Sequence, residues 1–538
     1  MNGAQSLFKA LTDAGLDTCF ANPGTSEMQL VYEMGKTDAV RPVLCLQENV
    51  VTGAADGYAR MAEKPAFTLL HVGSGFANGI ANLHNAGRAN IPIVNIVGAN
   101  ASYHQPNFPE HEMIGGKISD LAGVVSHWVR EARSASDMGT LGVEAVRNAT
   151  TGCGRISTMI APTNCHWDPA PAPPEAVSSK PPELMVPADS IEKAATLLRN
   201  GHRTGLLLGA GALKGKNLEQ AGKIATCTGA SLLAETFPPR MERGEGSVTI
   251  DIVPYFLEMA AAFFAEYEQI ILVAALPPVS TFAYQNAPTN KLPESCYHWQ
   301  LASPDHNLEA ALEQLAGAVG ALDAEPQRQS RVAPSSPSGT LTAGTIGQTV
   351  AISLPEGSIM VDESATAGLE LSAHSVMSRR HDYLYAVQGG AIGGGLPLAL
   401  GAAIACPDRK VVCLQADGSG MYTNQTLWSI AHENCDVTIV VIKNNAYAVL
   451  NVELARVREG EPTPGMLSML ELDEPSIDWV KMSESMGIPA IAAASAEAFQ
   501  EAFERAMEHK GPMLIEATIS QDLQPVVDLI RQMRPEAG

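Results

Sequence analysis

The run Lys410-Val411-Val412-Cys413-Leu414-Gln415-Ala416, closed by Asp417-Gly418-Ser419, and the run Val437-Thr438-Ile439-Val440-Val441-Ile442-Lys443, closed by Asn444-Asn445, decide how this chain folds. Each is a stretch of strand formers ending in a polar turn, and both read as buried strands. Between them, residues 422–434 carry Leu427, Trp428, Ile430 and Ala431 at helical spacing. The order strand, turn, helix, strand makes a crossover of the length that parallel strands need. Asp417 and Asn444 then stand at the carboxyl ends of neighbouring strands, where open α/β sheets bind ligands. A hard carboxylate, an amide oxygen and a nearby carbonyl suit Mg²⁺, which keeps its remaining positions for phosphate oxygens and water. Taken alone, an Asp-Gly turn and an Asn-Asn turn after strands are also ordinary loop chemistry.

A chain of 538 residues divides into about three domains of the usual size. A hydrophobic share of 46% provides for several cores, and a charged share of 17% argues against wholesale disorder. The formal charge of −23 argues against nucleic acid and anionic membrane surfaces as partners. Residues 1–21 lack the basic start and apolar run of a signal peptide. The apolar stretch 260–276 is broken by Glu266 and Glu268, so no membrane span is expected there. The 9 cysteines are scattered without a C-x-x-C pair and read as reduced core thiols, in keeping with a cytoplasmic protein.

Two stretches have the composition of linkers. Residues 167–187 hold seven prolines with Ser178, Ser179 and Lys180 among them, and residues 326–340 are rich in Pro, Ser and Arg. They leave domains at 1–166, 188–325 and 341–538. In the first, residues 18–21, 43–46, 66–71 and 93–97 are strand candidates, with helical stretches such as 49–62 between them. Strand and helix alternate in all three parts, which predicts an α/β protein of three doubly wound parallel sheets.

The middle part opens with the strand 205–208 and then Gly209-Ala210-Gly211-Ala212-Leu213-Lys214-Gly215, with Glu235 closing the next strand. This approximates a dinucleotide fingerprint, but the third glycine is displaced by one position. A tight turn without ligand is the preferred reading.

A second constellation lies near the start. Asn22-Pro23-Gly24-Thr25-Ser26-Glu27 follows the first strand, Leu46-Gln47-Glu48-Asn49 the second, and His71-Val72-Gly73-Ser74-Gly75 the third. Glu48 opens a helix that carries Gly53, Ala54, Ala55, Asp56, Gly57 and Tyr58. Taken singly, Glu48 reads as a capping or solvated carboxylate and His71 as a structural strand-end histidine.

Together with Asp417 and Asn444, these turns resemble the thiamine diphosphate enzymes. That family has a metal motif opening with Gly-Asp-Gly and closing with Asn-Asn. Its pyrimidine-binding domain carries an Asn-Pro-Gly turn, a catalytic glutamate and a glycine-rich loop in this order. Ala416 replaces the opening glycine here. The resemblance spans nearly the whole chain and is nearest to the branch of benzoylformate decarboxylase, pyruvate oxidase and acetolactate synthase. It implies a pyrimidine-binding domain, a central Rossmann-like domain and a diphosphate-binding domain in that order, with thiamine diphosphate and Mg²⁺ as cofactors.

The same resemblance assigns Asp417, Asn444 and the Ala446 carbonyl to the metal, and Gly418, Ser419, Ala365, Thr366 and Tyr422 to the diphosphate. Tyr447 and Leu450 would face the thiazolium and substrate. Within residues 389–397, the Gly390 carbonyl would take the 4′-amino group and Ile392 would wedge beneath the cofactor. Without the family this run is a close-packing glycine turn. Asn22, Pro23, Gly24 and Asn78 would be further cofactor contacts. Glu48 would be the catalytic carboxylate against pyrimidine N1′, His71 a proton donor or substrate contact, and Thr25 a hydroxyl on the substrate carboxylate.

The implied activity is decarboxylation of a 2-oxoacid, or carboligation with an aldehyde or ketone acceptor, through a C2 ylid and an enamine. An acetolactate synthase-like carboligase on pyruvate is the alternative. A catalytically retired regulatory paralogue is a second, and a dehydrogenase built on the Gly209 turn is the weakest. Two departures leave the substrate open. Residues 277–284 hold no histidine where benzoylformate decarboxylase has its second one, and Pro109 follows Phe108 where acetolactate synthase and pyruvate oxidase have glutamine. FAD is not expected, since only the loose Gly209 turn could hold it. The family also implies a homodimer or homotetramer in which Glu48 of one subunit meets cofactor held by another. The pocket would be shaped by Phe76, Phe108, Phe282, Tyr284 and Val449.

Overall fold

The structure is a computed structural model that describes residues 1–175, 183–285, 287–457, 460–519, 524, 527 and 528. Ser178, Ser179 and Lys180 of the expected first linker lie outside the described residues, as does nearly all of the chain beyond 519. In the first part, β1 (Thr18–Asn22), β2 (Arg41–Leu44), β3 (Ala66–Leu70), β4 (Ile93–Ala99), β5 (Trp128–Glu131) and β6 (Ile156–Pro162) form one parallel sheet in the order β2-β1-β3-β4-β6-β5. The second strand starts at Arg41 rather than Val43, because the register Thr18↔Arg41 to Ala21↔Leu44 pairs it with β1. Cys45 and Leu46 are thereby released into the turn that delivers Glu48.

The middle part contributes β7 (Thr204–Leu208), β8 (Ser231–Ala234), β9 (Met241–Arg243), β10 (Asp251–Ile252), β11 (Gln269–Val273) and β12 (Tyr297–Ala302). Five of them make a parallel sheet in the order β10-β8-β7-β11-β12. The apolar stretch 260–276 divides between the helix Leu257–Phe264 and β11. Among the described residues no helix is long and apolar enough to cross a membrane.

The last part holds β13 (Ile359–Glu363), β14 (His381–Tyr385), β15 (Val411–Ala416), β16 (Val437–Lys443), β17 (Ala490–Ala493) and β18 (Met513–Thr518), in the order β17-β18-β16-β15-β13-β14-β9. All are parallel except β9, which comes from the middle part and caps the edge at β14 in antiparallel fashion. In the first sheet the strand order reverses between β1 and β3, and in the third between β13 and β15. These are the crevices where such sheets bind ligands.

The helix Glu48–Ala62 is buried along almost its whole length, which a one-faced amphipathic helix would not be. It is clamped between the first sheet and the buried helix Gly395–Ala405. The two helices meet backbone to backbone. A Cβ added at Gly57 would lie 2.1 Å from the Leu398 carbonyl oxygen, and one at Gly401 would lie 1.9 Å from that of Ala54. Glycine is required at both positions. Nearby, the fully buried Arg60 guanidinium grips Asp56 at 2.7 and 2.8 Å and donates to the carbonyls of Pro239 and Tyr385 and to Gln388 Oε1. Burial pushes the Asp56 carboxyl up and the guanidinium pulls it back. One side chain thus ties together residues from all three parts.

Candidate active site

At the switch point of the first sheet, Asn22-Pro23-Gly24 leaves β1 and the 3₁₀ turn Thr25–Glu27 follows. Glu27 is completely buried, and its Oε2 accepts the Gly24 N–H at 2.8 Å and meets His71 Nδ1 at 2.7 Å. The imidazole lies flat on Gly24, where a Cβ would fall 2.3 Å from Nδ1. Val72, next along the chain, has φ 39°, a left-handed conformation that a β-branched residue adopts only under constraint.

Glu48 is the first residue of its helix and is buried, while Gln47 caps the helix by accepting the N–H groups of Asn49 and Val50. The carboxylate is therefore free of capping and gains from the helix dipole. Its Oε2 accepts from Asn78 Nδ2 at 3.1 Å. A Cβ on Gly75 would lie 2.9 Å from Glu48 Oε1 and 3.3 Å from His71 Cβ, so the two side chains share one glycine floor. Asn78, Glu48 and His71 are thus gathered at one place, and exposed Thr25 opens the 3₁₀ turn that ends in the histidine's partner Glu27.

At the switch point of the third sheet, buried Asp417 follows β15. Its Oδ1 accepts the Gly418 N–H at 2.9 Å and its Oδ2 accepts the Asn445 N–H at 2.7 Å. Burial pushes its carboxyl above the ordinary range, and the backbone amides oppose this. Asn444 Oδ1 accepts the Ala446 N–H at 3.0 Å, and Asn445 turns the chain at φ 54°. The Tyr447 ring stands over Gly418, where a Cβ would fall 2.6 Å from Cε1. Ser419 turns its hydroxyl inward, accepting from Gln415 Nε2 at 2.7 Å and donating to the Ala416 carbonyl at 3.3 Å. Ala365 and Thr366 occupy the neighbouring turn after β13, with Ala365 at φ 52°, and Tyr422 is 54% exposed at the rim.

The glycine loop between these turns is held from two sides. Buried Glu363, the last residue of β13, accepts the N–H groups of Gly393 (2.5 Å), Gly394 (3.3 Å) and Gly395 (2.8 Å) and the Gln415 amide (3.0 Å). Burial pushes its carboxyl up, and these four donors pull it back. From the first part, the Asn85 amide bonds Ala391 in both directions, at 2.8 and 3.2 Å. Gly390 has φ 82°, and Ile392 is half-buried. Glu27, Glu363 and Asn85 were not singled out from the sequence. A carboxylate closing a strand or its turn is the signal for the first two; Asn85, inside a helix, carries none.

The segment 277–284 reaches this region through Tyr284, whose hydroxyl donates to Glu453 Oε1 at 3.2 Å while the Arg456 guanidinium lies 4.3 Å over its ring. Glu453 and Arg456 sit on the helix Ala448–Val457 that follows the Asn444 turn. In the middle sheet, Glu235 Oε1 accepts the Ala210 N–H at 3.3 Å, and burial pushes its carboxyl up to about 7. A cavity of about 430 Å³ opens beside this turn, lined by Gly211, Lys214, Asn217, Arg240 and His306. The three Lys and Arg side chains that line it are already matched, Arg60 by Asp56, Lys214 by Glu63 and Arg240 by Asp382, each at 2.7 Å.

Known proteins resemble this chain over nearly its whole length. The family model described as thiamine pyrophosphate enzyme, N-terminal TPP binding domain, matches residues 1–122, and that of the C-terminal TPP binding domain matches residues 367–517. A Mycobacterium tuberculosis protein that carries an acetolactate synthase large subunit name is 41% identical over 96% of this chain and 99% of its own length. Benzoylformate decarboxylase of Pseudomonas aeruginosa is 27% identical over 96% of this chain and 98% of its own. Among solved structures, the thiamine diphosphate-dependent 4-hydroxybenzoylformate decarboxylase of Rhodococcus jostii superposes with a TM-score of 0.83 at 25% identity, covering 97% of this chain and 100% of that one.

Proposed function

The chain belongs to the thiamine pyrophosphate enzyme family, and from that premise we propose that it decarboxylates a 2-oxoacid or joins the resulting fragment to a second carbonyl compound. The observation that carries this reading is the placing of Glu48 and Asp417 at the ligand-binding edges of two separate sheets in one chain.

The residues at the third sheet fit a metal diphosphate. Burial raises the Asp417 carboxyl, and a divalent cation beside it would relieve that cost, with Asn444 and the Ala446 carbonyl adding neutral oxygens. Gly390 leaves the backbone bare where an aminopyrimidine would lie, and Gly418 lets the Tyr447 ring close directly on the turn beside Asp417. Asp417, Asn444 and Ala446 would hold Mg²⁺. Gly418, Ser419, Ala365, Thr366 and Tyr422 would surround the diphosphate, and Gly390, Ile392 and Tyr447 the rings. Asn22, Pro23, Gly24 and Asn78 would close over the pyrimidine. When bound, thiamine diphosphate supplies a carbon nucleophile for the substrate carbonyl and an electron sink for loss of carbon dioxide.

Glu48 holds a proton at the pyrimidine N1′, and Asn78 fixes the rotamer of the carboxylate that does so. His71, tied at Nδ1, turns Nε2 to the substrate, and in its doubly protonated form that nitrogen donates to the substrate oxygen that gains negative charge. Thr25 meets the substrate carboxylate. Tyr447 and Leu450 keep water from the reacting atoms. The paired cations at the Gly209 turn support a reading without FAD.

Apolar side chains left exposed near these turns, among them Leu46, Phe108, Tyr422 and Leu450, support a dimer or tetramer with active sites between subunits. The buried thiols, packed as small core residues, support a reducing cytoplasm.

The test is Glu48→Gln loaded with thiamine diphosphate and Mg²⁺. Turnover of a 2-oxoacid is expected to fall by roughly 10²-fold or more with the cofactor still bound, whereas unchanged turnover would sink the assignment. An acetolactate synthase-like carboligase is the second reading, favoured by the relative at 41% identity. Pyruvate incubations assayed for both acetaldehyde and acetolactate separate the two, and aromatic and branched 2-oxoacids complete the panel.

A further inference from the structure

We propose that His111 is a substrate-contacting residue, a second imidazole that binds the carboxylate of the 2-oxoacid beside His71. This rests on the 2-oxoacid reading above. The rings of His71 and His111 meet edge to face, with centroids 5.1 Å apart and planes at 72°. His71 Nδ1 is spent on Glu27, so His71 has only Nε2 to offer a ligand. His111 is exposed, and among the described residues neither of its ring nitrogens has a hydrogen-bond partner. Two imidazoles in contact therefore stand beside Gly75, the glycine that Glu48 also borders.

The loop that carries His111 is fastened on its far side. The next residue, Glu112, accepts from Asn100 Nδ2 at 2.8 Å, and Met113 packs its sulfur on Gly73, where a Cβ would lie 2.5 Å from it. Gln105 Nε2 in turn donates to the Asn100 carbonyl at 3.2 Å. His111 is thus delivered to His71 by anchored neighbours. A 2-oxoacid carries a carbonyl oxygen and a carboxylate on adjacent carbons, and this pair matches two neighbouring imidazoles, His71 donating from Nε2 when doubly protonated and His111 from a ring N–H. His71 takes the carbonyl oxygen, and His111 takes the carboxylate together with Thr25.

The experiment uses the full chain loaded with thiamine diphosphate and Mg²⁺, with oxamate as an unreactive 2-oxoacid mimic followed by isothermal titration calorimetry. Pyruvate and benzoylformate are followed by turnover. His111→Ala should weaken oxamate and raise KM at least roughly tenfold, and His111→Gln, which keeps a donor, should recover part of the loss. The affinity for thiamine diphosphate should stay unchanged in both, which shows that the site is still built. Equal KM and equal oxamate affinity in wild type and His111→Ala would overturn the proposal and leave the 2-oxoacid reading standing. A wild type that neither binds oxamate nor turns over any 2-oxoacid would overturn both.

Discussion

Glu27 and His71 are joined at 2.7 Å through Oε2 and Nδ1, and the carboxylate is completely buried. A carboxylate acceptor fixes the proton on Nδ1 and leaves Nε2 to the pocket. Glu27→Gln keeps the shape but can turn an amide nitrogen toward the ring. We expect kcat/KM to fall by roughly 10²-fold with thiamine diphosphate affinity intact. Steady-state kinetics beside calorimetric binding of the cofactor would check it, and unaltered kinetics would mean that His71 is oriented by something else.

Gly98 offers a way to disturb the same pair from behind. A Cβ there would fall 1.6 Å from Glu27 Oε1, which has no hydrogen-bond partner among the described residues. Gly98→Ala must push the carboxylate aside, so activity should drop about as far as in Glu27→Gln although Gly98 acts only through Glu27. Stability should fall as well, by ~1–3 kcal/mol in a urea titration.

Glu363 is expected to be the anchor of the glycine loop. Glu363→Ala would strand three amide N–H groups and the Gln415 side chain, each worth ~1–3 kcal/mol if left buried and unpaired. The loop should loosen, and the dissociation constant for thiamine diphosphate should rise by at least roughly tenfold. A calorimetric titration that returned the wild-type constant would show that the loop holds its shape without this residue.

The crossing of Glu48–Ala62 and Gly395–Ala405 predicts intolerance to a single methyl group. Gly57→Ala or Gly401→Ala places a carbon about 2 Å from a carbonyl oxygen of the facing helix. Each should cost ~1–3 kcal/mol or more and lower the melting temperature measured by calorimetry. An unchanged melting temperature would show that the helices can slide apart freely.

Glu235 gives a pH dependence. Its carboxyl stands at about 7 in the folded protein against an ordinary value of 4.5, so the folded state holds a proton that the unfolded state has released. The stability linked to that proton is fully present below about 4.5 and is lost as pH rises through 7. Glu235→Gln should therefore leave low-pH stability nearly unchanged and make the protein more stable than wild type at pH 8. Urea midpoints at both pH values would decide it; parallel profiles for the two proteins would count against the shift.

The positions of Asp417, Asn444, Glu48 and His71 in turns after strands were legible in the sequence because each follows a run of strand formers, and a turn after a parallel strand has few places to go. The pairs that orient them were not. Glu27 and His71 are 44 residues apart, and Glu363 and Gly393 are 30 apart. The first meeting depends on β1 lying beside β3, which sequence order does not give, and the second on the loop after β14 folding back over the end of β13. The buried strand β6 also escaped notice. Its Thr158 interrupts an apolar run, yet in the core it accepts from Asn95 at 3.1 Å and meets Ser126 at 2.8 Å. The edge strand β9 is invisible for another reason. Met241–Arg243 is three residues long and pairs with a sheet belonging to a later part of the chain.

The contact of Gly57 with Leu398 and of Gly401 with Ala54 bears on how the protein can be recombined. A chimera that takes its first part from one relative and its last part from another inherits two helices that have never been fitted to each other. Any side chain larger than hydrogen at either crossing point would force the parts away from one another. Helices 48–62 and 395–405 have to travel together as a matched set, and a productive exchange with a relative is one whose breakpoints keep both from the same parent.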